Sequence, residues 1–453
     1  MSEYGAADLN LGITEKLAGY LADLQFEDLP GDVIHECRRG ILDWLGCALA
    51  GSEHATLDTL TGVLGTISPN GGSTVIGRKM KLGLLEAAIA NGQMGHVLDY
   101  DDTHLGGGGV HTSGPVMASI LPLGESRRVS GKDFMVAYVA GFEAATRTGC
   151  GMPNHHDGGW HLTGTIGTVG AGAGCGRLLG LTGTQMVHAF GIAATQSAGM
   201  QQNRGTMCKS FHPGKAASNG ILAATLAEGG FDSTGEILEG KKGFCRIYSV
   251  VTDEAAILAK LGESFAVTGN GYKPYACGVV LHPIIDSAIA LGQESAIAPS
   301  DVARLEITAN IKAVTITGVS DPKSGLKSKF SIGHASAVSF IDGNAGRPQF
   351  SNERALAQDV VVLREKVSVT VDENFRIDQA AAMVVGKDGT RMEHKTEHAT
   401  GMVDNPMSDA QIETKFFDNA EPSVGAEKAK EIREMVWGLE NVSDIGALVR
   451  LCA

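Results

Sequence analysis

Within residues 32–51, apolar side chains fall at Val33, Cys37, Ile41, Trp44, Leu45 and Ala48. That spacing is one face of a helix with a period of 3.6 residues. Through residues 84–103, Leu85, Ile89, Gly92, His96, Asp99 and Thr103 step by fours and threes and so share one stripe. The stripe begins apolar and ends in His, Asp and Thr, which predicts a helix running from a core into a polar cavity. Residues 164–180 read GTIGTVGAGAGCGRLLG. They lack the register, the preceding strand and the following acid of a dinucleotide-binding loop. They read instead as a helix whose small residues permit close packing, capped by Gly180, with a further helix over 181–198 starting behind Thr182.

The pattern changes near residue 269. Residues 304–317 and 366–371 carry β-rich alternation, and 381–392 places Lys387-Asp388-Gly389 between two expected strands. A helix is expected over 330–342. Beyond Pro406 the helical period returns, opened by the capping-box pattern Ser408-Asp-Ala-Gln411. The expected fold is mainly α with a smaller α+β domain. Residues 1–268 and 404–453 form a helical domain from both chain ends, and 269–403 form an inserted α+β lid.

Hydrophobic residues make up 43% of the 453, and charged residues 19%, which excludes disorder for the bulk of the chain. The formal net charge of −14 argues against nucleic acid as a partner, yet leaves room for a local basic cluster that holds a small anion. No uncharged apolar run is long enough to propose a membrane span. The first twenty residues lack a basic segment followed by an apolar one, so no secretory leader is expected. The eight cysteines are scattered without a CxxC pair, which suits a reduced, cytoplasmic protein.

Eight of the fourteen histidines lie between His96 and His212, seven of them in glycine-rich segments. Histidine is the side chain suited to moving protons near neutral pH. Asp99-Tyr-Asp-Asp102 invites a magnesium reading, but no further acid follows one turn later. A solvated acid cluster at a helix end suits Asp101 and Asp102, whereas Asp99 stays on the stripe. His155, His156 and His161 lack zinc-ligand spacing. No nucleophile elbow and no P-loop occurs. Metal ligands and cofactors are therefore expected to be none. Lys323, Lys327 and Lys329 read as surface lysines. Lys209, Lys215 and Lys273 stand apart, because each sits in a Gly/Pro/aromatic context near a histidine. Such a set can hold carboxylates while a histidine moves a proton.

Several motifs occur in order along the chain: His96-Val-Leu-Asp-Tyr-Asp-Asp-Thr103 with His111-Thr-Ser-Gly-Pro; Trp160-His161 with Gly167-Thr168; Lys209-Ser-Phe-His212-Pro-Gly-Lys215; Lys273-Pro-Tyr-Ala-Cys277 with His282-Pro283; Ser324-Gly325-Leu326 with Lys329-Phe330-Ser331; and Pro406-Met-Ser-Asp409. In these the chain resembles the MmgE/PrpD family over nearly its whole length. The resemblance implies a homodimer, a site between the two domains that needs no cofactor, and a small anionic di- or tricarboxylate as substrate. By match to the decarboxylase pattern, Asp99, Thr103, His111, His161, Lys209 and Lys273 line the site; Arg204, His212 and Lys215 are further candidates for substrate contacts. The decarboxylase pattern has one more histidine five residues after the lysine matched by Lys273, and here that position is Gly278.

The leading expectation is a cofactor-independent lyase of dehydratase type. His111 or His161 would abstract a proton α to a carboxylate, and the lysines would stabilise the resulting charge. An epimerase, a cis-aconitate-type decarboxylase and a non-catalytic ligand-binding protein are the alternatives. His155 and His156 fall on no matched position.

Overall fold

The computed structural model describes residues 12–453. Most of the opening stretch read for a leader lies outside them. Their apolar side chains gather in two cores. The larger draws on α1 (Ile13–Asp23), α2 (Gly31–Gly51), α3 (Leu84–His96), α4 (Ser113–Arg127), α5 (Gly131–Cys150), α6 (Ile166–Leu178), α7 (Gly183–Ala194) and α8 (Met207–Glu228), together with residues beyond Met407. The stripe of 33–48 becomes the buried face of α2. In α6 the small residues do what their size allows. A Cβ added at Gly170 would lie 2.7 Å from the Gly141 carbonyl oxygen on α5. Gly180 ends the run at φ 68, and α7 starts on a capping box made by Thr182 and Gln185, closing at Ala194 rather than Ala198.

The smaller core is built around α9 (His282–Glu294), β1 (Val302–Ala309), α10 (Ile332–Asp342), β2 (Val367–Val371), β3 (Ala380–Gly386) and β4 (Arg391–Thr396). The sheet order is β2-β1-β3-β4, with β1 and β2 parallel and the other pairs antiparallel. Ile307 pairs with both Val369 and Ala382. The parallel pair needs a long crossover, and α10 lies within it. Strand β2 sits at the edge and is largely exposed, while β3 is central and alternates into the core. The turn at 387–389 is present, with Gly389 at φ 87.

One β expectation fails. Only the first half of 304–317 is strand. The Asn310 side chain accepts from the Lys312 N–H and starts a helix, Ile311–Thr317, so a helix cap outweighs the β-branched composition there.

After the small unit, α11 (Asp409–Val424) begins on the Ser408/Gln411 capping box and packs on α2. Lys415 ties it down, donating to Asp43 at 2.6 Å and to the Tyr100 carbonyl at 2.7 Å. α12 (Ala426–Trp437) also packs against α2. The protein is thus mainly α with a small α+β portion. Among the described residues, no helix is long and apolar enough to cross a membrane.

Candidate active site

The stripe that suggested a helix to Thr103 stops being helical at His96. The Asp99 N–H donates to the His96 carbonyl at 2.9 Å, and Asp99 takes φ 51 in the left-handed region. Aspartate tolerates that conformation better than most residues, and the turn carries its carboxylate away from the helix line. Opposite it stands the first turn of α8. α3 and α8 approach so closely that a Cβ on Gly92 would lie 2.4 Å from the Gly214 Cα. This crossing brings Lys209 to Asp99.

Asp99 is bridged by two ammonium groups: Lys209 Nζ lies 2.6 Å from Oδ2, and Lys273 Nζ 2.5 Å from Oδ1 and 3.1 Å from the Asp99 carbonyl. Burial on its own would raise the Asp99 carboxyl. Lys209 and Lys273 outweigh it and hold the group well below the ordinary carboxylate range. Burial also lowers the Lys209 ammonium, against the pull of Asp99.

The neighbouring acids overturn the reading of a solvated cluster. Asp101 and Asp102 are 0% and 1% exposed. Both Asp101 oxygens accept from His96 Nδ1 at 2.9 Å. A carboxylate only accepts, so Nδ1 carries the proton and His96 Nε2 is an acceptor, which Lys209 Nζ meets at 3.0 Å. Against burial, His96 and His111 hold the Asp101 carboxyl well below its usual range. Asp102 accepts from Ser113 Oγ at 2.5 Å and Asn270 Nδ2 at 2.8 Å.

His111 is fixed by the same logic. Its Nδ1 lies 2.7 Å from the Asp102 carbonyl oxygen and 3.3 Å from Thr103 Oγ1. A carbonyl cannot donate, so Nδ1 holds the proton and Nε2 keeps its lone pair. Burial pulls His111 well below an ordinary imidazole, with Asp101 pulling the other way. His161 shares a hydrogen bond with His212, Nδ1 to Nδ1 at 2.9 Å. Burial, helped by Lys209 and His96, keeps His161 well below the usual range; burial, helped by His96 and Lys209, brings His212 to about 4. Both rings are neutral near pH 7.

These groups face a cavity of about 280 Å³. It is lined by Asp99, Thr103, His111, His161, Arg204, Lys209 and Lys273, so seven sequence-selected residues meet there. His212 stands behind His161. Lys215 does not join them. It is exposed, because six residues from Lys209 turn it by about 240° to the other side of α8.

Three groups were missed. His96 lay on the predicted stripe but was not chosen. His156 lines the cavity although no motif marks it. Lys329 is not a surface lysine: its buried Nζ donates to the Leu98 and Ala276 carbonyls at 2.7 and 2.6 Å, and burial lowers it to about 8. The motif Lys329-Phe330-Ser331 is the one local signal that separates it from Lys323 and Lys327. His155 is buried elsewhere, between the Tyr248 carbonyl and Thr165.

A ring nitrogen from each of His96, His111 and His161 falls within 4.8 Å of the others, a spread that admits one metal ion. The three come from separate segments of the chain, so no local ligand spacing marks them as a set. Lys209 already donates into His96 Nε2, so a metal there would have to displace an ammonium group.

Comparison with known proteins agrees with the motifs. The MmgE/PrpD N-terminal domain model matches residues 15–254, and the C-terminal domain model matches 275–441. A cis-aconitate decarboxylase of Aspergillus terreus is 27% identical, over 98% of this chain and 97% of that protein. The cis-aconitate decarboxylases of Mus musculus and Homo sapiens are each 26% identical over 97% of this chain, covering 93% and 94% of their own lengths. With both domain models matched in order along most of its length, the chain belongs to the MmgE/PrpD family.

Proposed function

We propose that this protein is a lyase acting on a small di- or tricarboxylate without a cofactor, with His111 as the proton-transfer residue. One observation carries the reading. The Asp102 carbonyl pins the proton on His111 Nδ1, so a neutral Nε2 is left for the cavity that Lys209 and Lys273 also line. Nε2 takes a proton from the carbon α to a carboxylate. The C–H pair passes into an enolate, whose charge the Lys209 and Lys273 ammonium groups offset. The group on the β carbon then departs with its bonding pair. For a hydroxyl, the proton now carried by His111 passes to the departing oxygen and completes a molecule of water, which leaves the imidazole neutral again.

Loss of CO2 is the second reading, favoured by the names of the relatives. There the C–C pair enters an enolate as CO2 departs, and a proton drawn from water through an imidazole is added to carbon. Gly278 favours loss of water. It lines the cavity where the decarboxylase pattern has a histidine, so the wall has one proton donor fewer. No observation supports the epimerase outcome weighed from the sequence.

The test is a panel of hydroxylated and unsaturated di- and tricarboxylates, cis-aconitate included, incubated in D2O and followed by NMR. The expected result is α-proton exchange with formation of an alkene and water. His111→Asn should lower kcat by ~10²–10⁴, the range for a general base, and remove exchange. CO2 release from cis-aconitate selects the second reading. Wild-type turnover and exchange in His111→Asn reject His111 as the base.

A further inference from the structure

The cations that line the cavity are not equally provided for. Lys209 and Lys273 share Asp99, and Lys312 pairs with Asp157. Arg204 also lines the cavity, yet among the described residues no carboxylate pairs with it. Its Nη2 is spent on Gln201 Oε1 at 2.6 Å and His156 Nε2 at 3.2 Å. Its Nε and Nη1 make no hydrogen bond, so three of its five N–H donors are unspent.

We infer that Arg204, oriented by His156 and Gln201, is the subsite for a second carboxylate of the ligand and sets a preference for diacids over monoacids. The inference rests on the lyase reading and deepens it, by assigning the ligand's two ends to separate groups of residues. The inner group is buried: Lys273 and Lys209 side chains are 0% and 12% exposed. The outer group is the rim, where Lys312 and Asp157 are 39% and 52% exposed. Contacts link Arg204 to His156, and His156 Nδ1 lies 3.9 Å from Asp157 Oδ1. Arg204 therefore belongs to the rim by contact. Burial lowers the guanidinium while the Asp99 charge supports it, so it senses the inner group across the shared cavity.

His156 is a positioning residue here. Burial, with Arg204 adding to it, takes its imidazole down to about 4. It is neutral at pH 7, and its Nε2 accepts from Arg204. A cation with unspent donors, half-removed from water and held from behind by two neutral acceptors, is suited to a carboxylate.

The test measures binding by calorimetry of two unreactive acids with equal carbon count, glutarate and pentanoate, to the full-length protein. Wild type should bind glutarate about tenfold or more tightly than pentanoate, the scale of one charge-assisted contact. Arg204→Gln should erase that preference while leaving pentanoate affinity unchanged, which also shows that the inner site is intact. Arg204→Lys should keep part of the preference, and His156→Asn should reduce it. For any diacid that is turned over, His156→Asn should raise KM and leave kcat within about twofold. The proposal is overturned if wild type binds neither acid or both alike, or if Arg204→Gln weakens both equally. Should Arg204→Gln fail to fold, an unchanged preference in Arg204→Lys and His156→Asn overturns it as well. Diacid selectivity without turnover of any acid would sink the lyase reading alone. Turnover that ignores Arg204 would sink the subsite alone.

Discussion

Asp102 is a buried carboxyl with no cation of its own among the described residues; its partners are the Ser113 hydroxyl and N–H and the Asn270 amide. Burial, with the Asp101 charge adding to it, raises it to about 7. The folded state therefore binds a proton that the unfolded state gives up between about pH 4 and 7, and this residue's contribution to stability falls as pH rises through that window. Asp102→Asn removes the titration. Asn270 Oδ1 has no hydrogen-bond partner, so a 180° turn of that amide supplies an acceptor for the new NH2. The melting temperature of Asp102→Asn relative to wild type should be higher at pH 8 than at pH 5. An offset that stays constant across this range would show that Asp102 does not titrate there. Sequence could not reveal this environment. Local reading sees three acids within four residues at a helix end, keeps Asp99 on the stripe and assigns Asp101 and Asp102 to water. What buries them is Ser113, Asn270 and His96 arriving from other elements. The placements that were legible, with Asp99, His111, His161, Lys209 and Lys273 around one cavity, were so because each matches a position of the family's motifs.

The crossing of α3 and α8 is the element on which the site depends. A Cβ at Gly214 would lie 2.2 Å from the Ile89 carbonyl oxygen, a backbone atom that cannot swing aside. Gly214→Val should push the helices apart, at about 1–3 kcal/mol for overpacking. Because Lys209 lies on the same helix, the shift should also pull it from Asp99 and His96. The expected outcome is a lower melting temperature together with a lower kcat/KM. Gly19→Ala on α1, where an added Cβ meets nothing within 4 Å, is the control and should leave activity intact. A Gly214→Val protein with wild-type melting and kinetics would remove the crossing from the account. At this scale the sequence was most readable where a period ran long, as at α2, or where a capping box opened the helix, as at α7 and α11. It was least readable where one side chain decided the outcome. Asn310 turns a β-rich run into helix, and α3 ends at His96, about two turns before its stripe runs out at Thr103, with Asp99 in the left-handed region just beyond it.

At the scale of the whole molecule, the cavity lies where the two cores meet. Phe330 and Ile377 reach it from the smaller unit, and His111 and His161 from the larger. Lys273 and Lys329 cross between them. Lys273 reaches back to Asp99 from the segment that joins the units, and Lys329 donates to Leu98 on one side and Ala276 on the other. The switch in periodicity near residue 269 signals two units, but no local pattern reveals that their junction is held by buried lysines on backbone carbonyls. This placement governs the final prediction, on metals and ligands. His96, His111 and His161 come close enough for one ion, yet Lys209 donates into His96 Nε2 and pairs with Asp99. An ion would separate those two groups and cancel the charge arrangement proposed to offset the enolate. Protein dialysed exhaustively against EDTA should therefore keep full activity, and added Zn2+ should inhibit rather than activate. A diacid bound at the junction should instead raise the melting temperature, because it binds the folded state only; at a hundred times its Kd the gain is about 2.7 kcal/mol. Calorimetric melting with and without glutarate, beside metal analysis of the active protein, checks both halves. One equivalent of tightly held metal, with activity lost on its removal and restored on its return, would show that the three histidines serve an ion and not a proton.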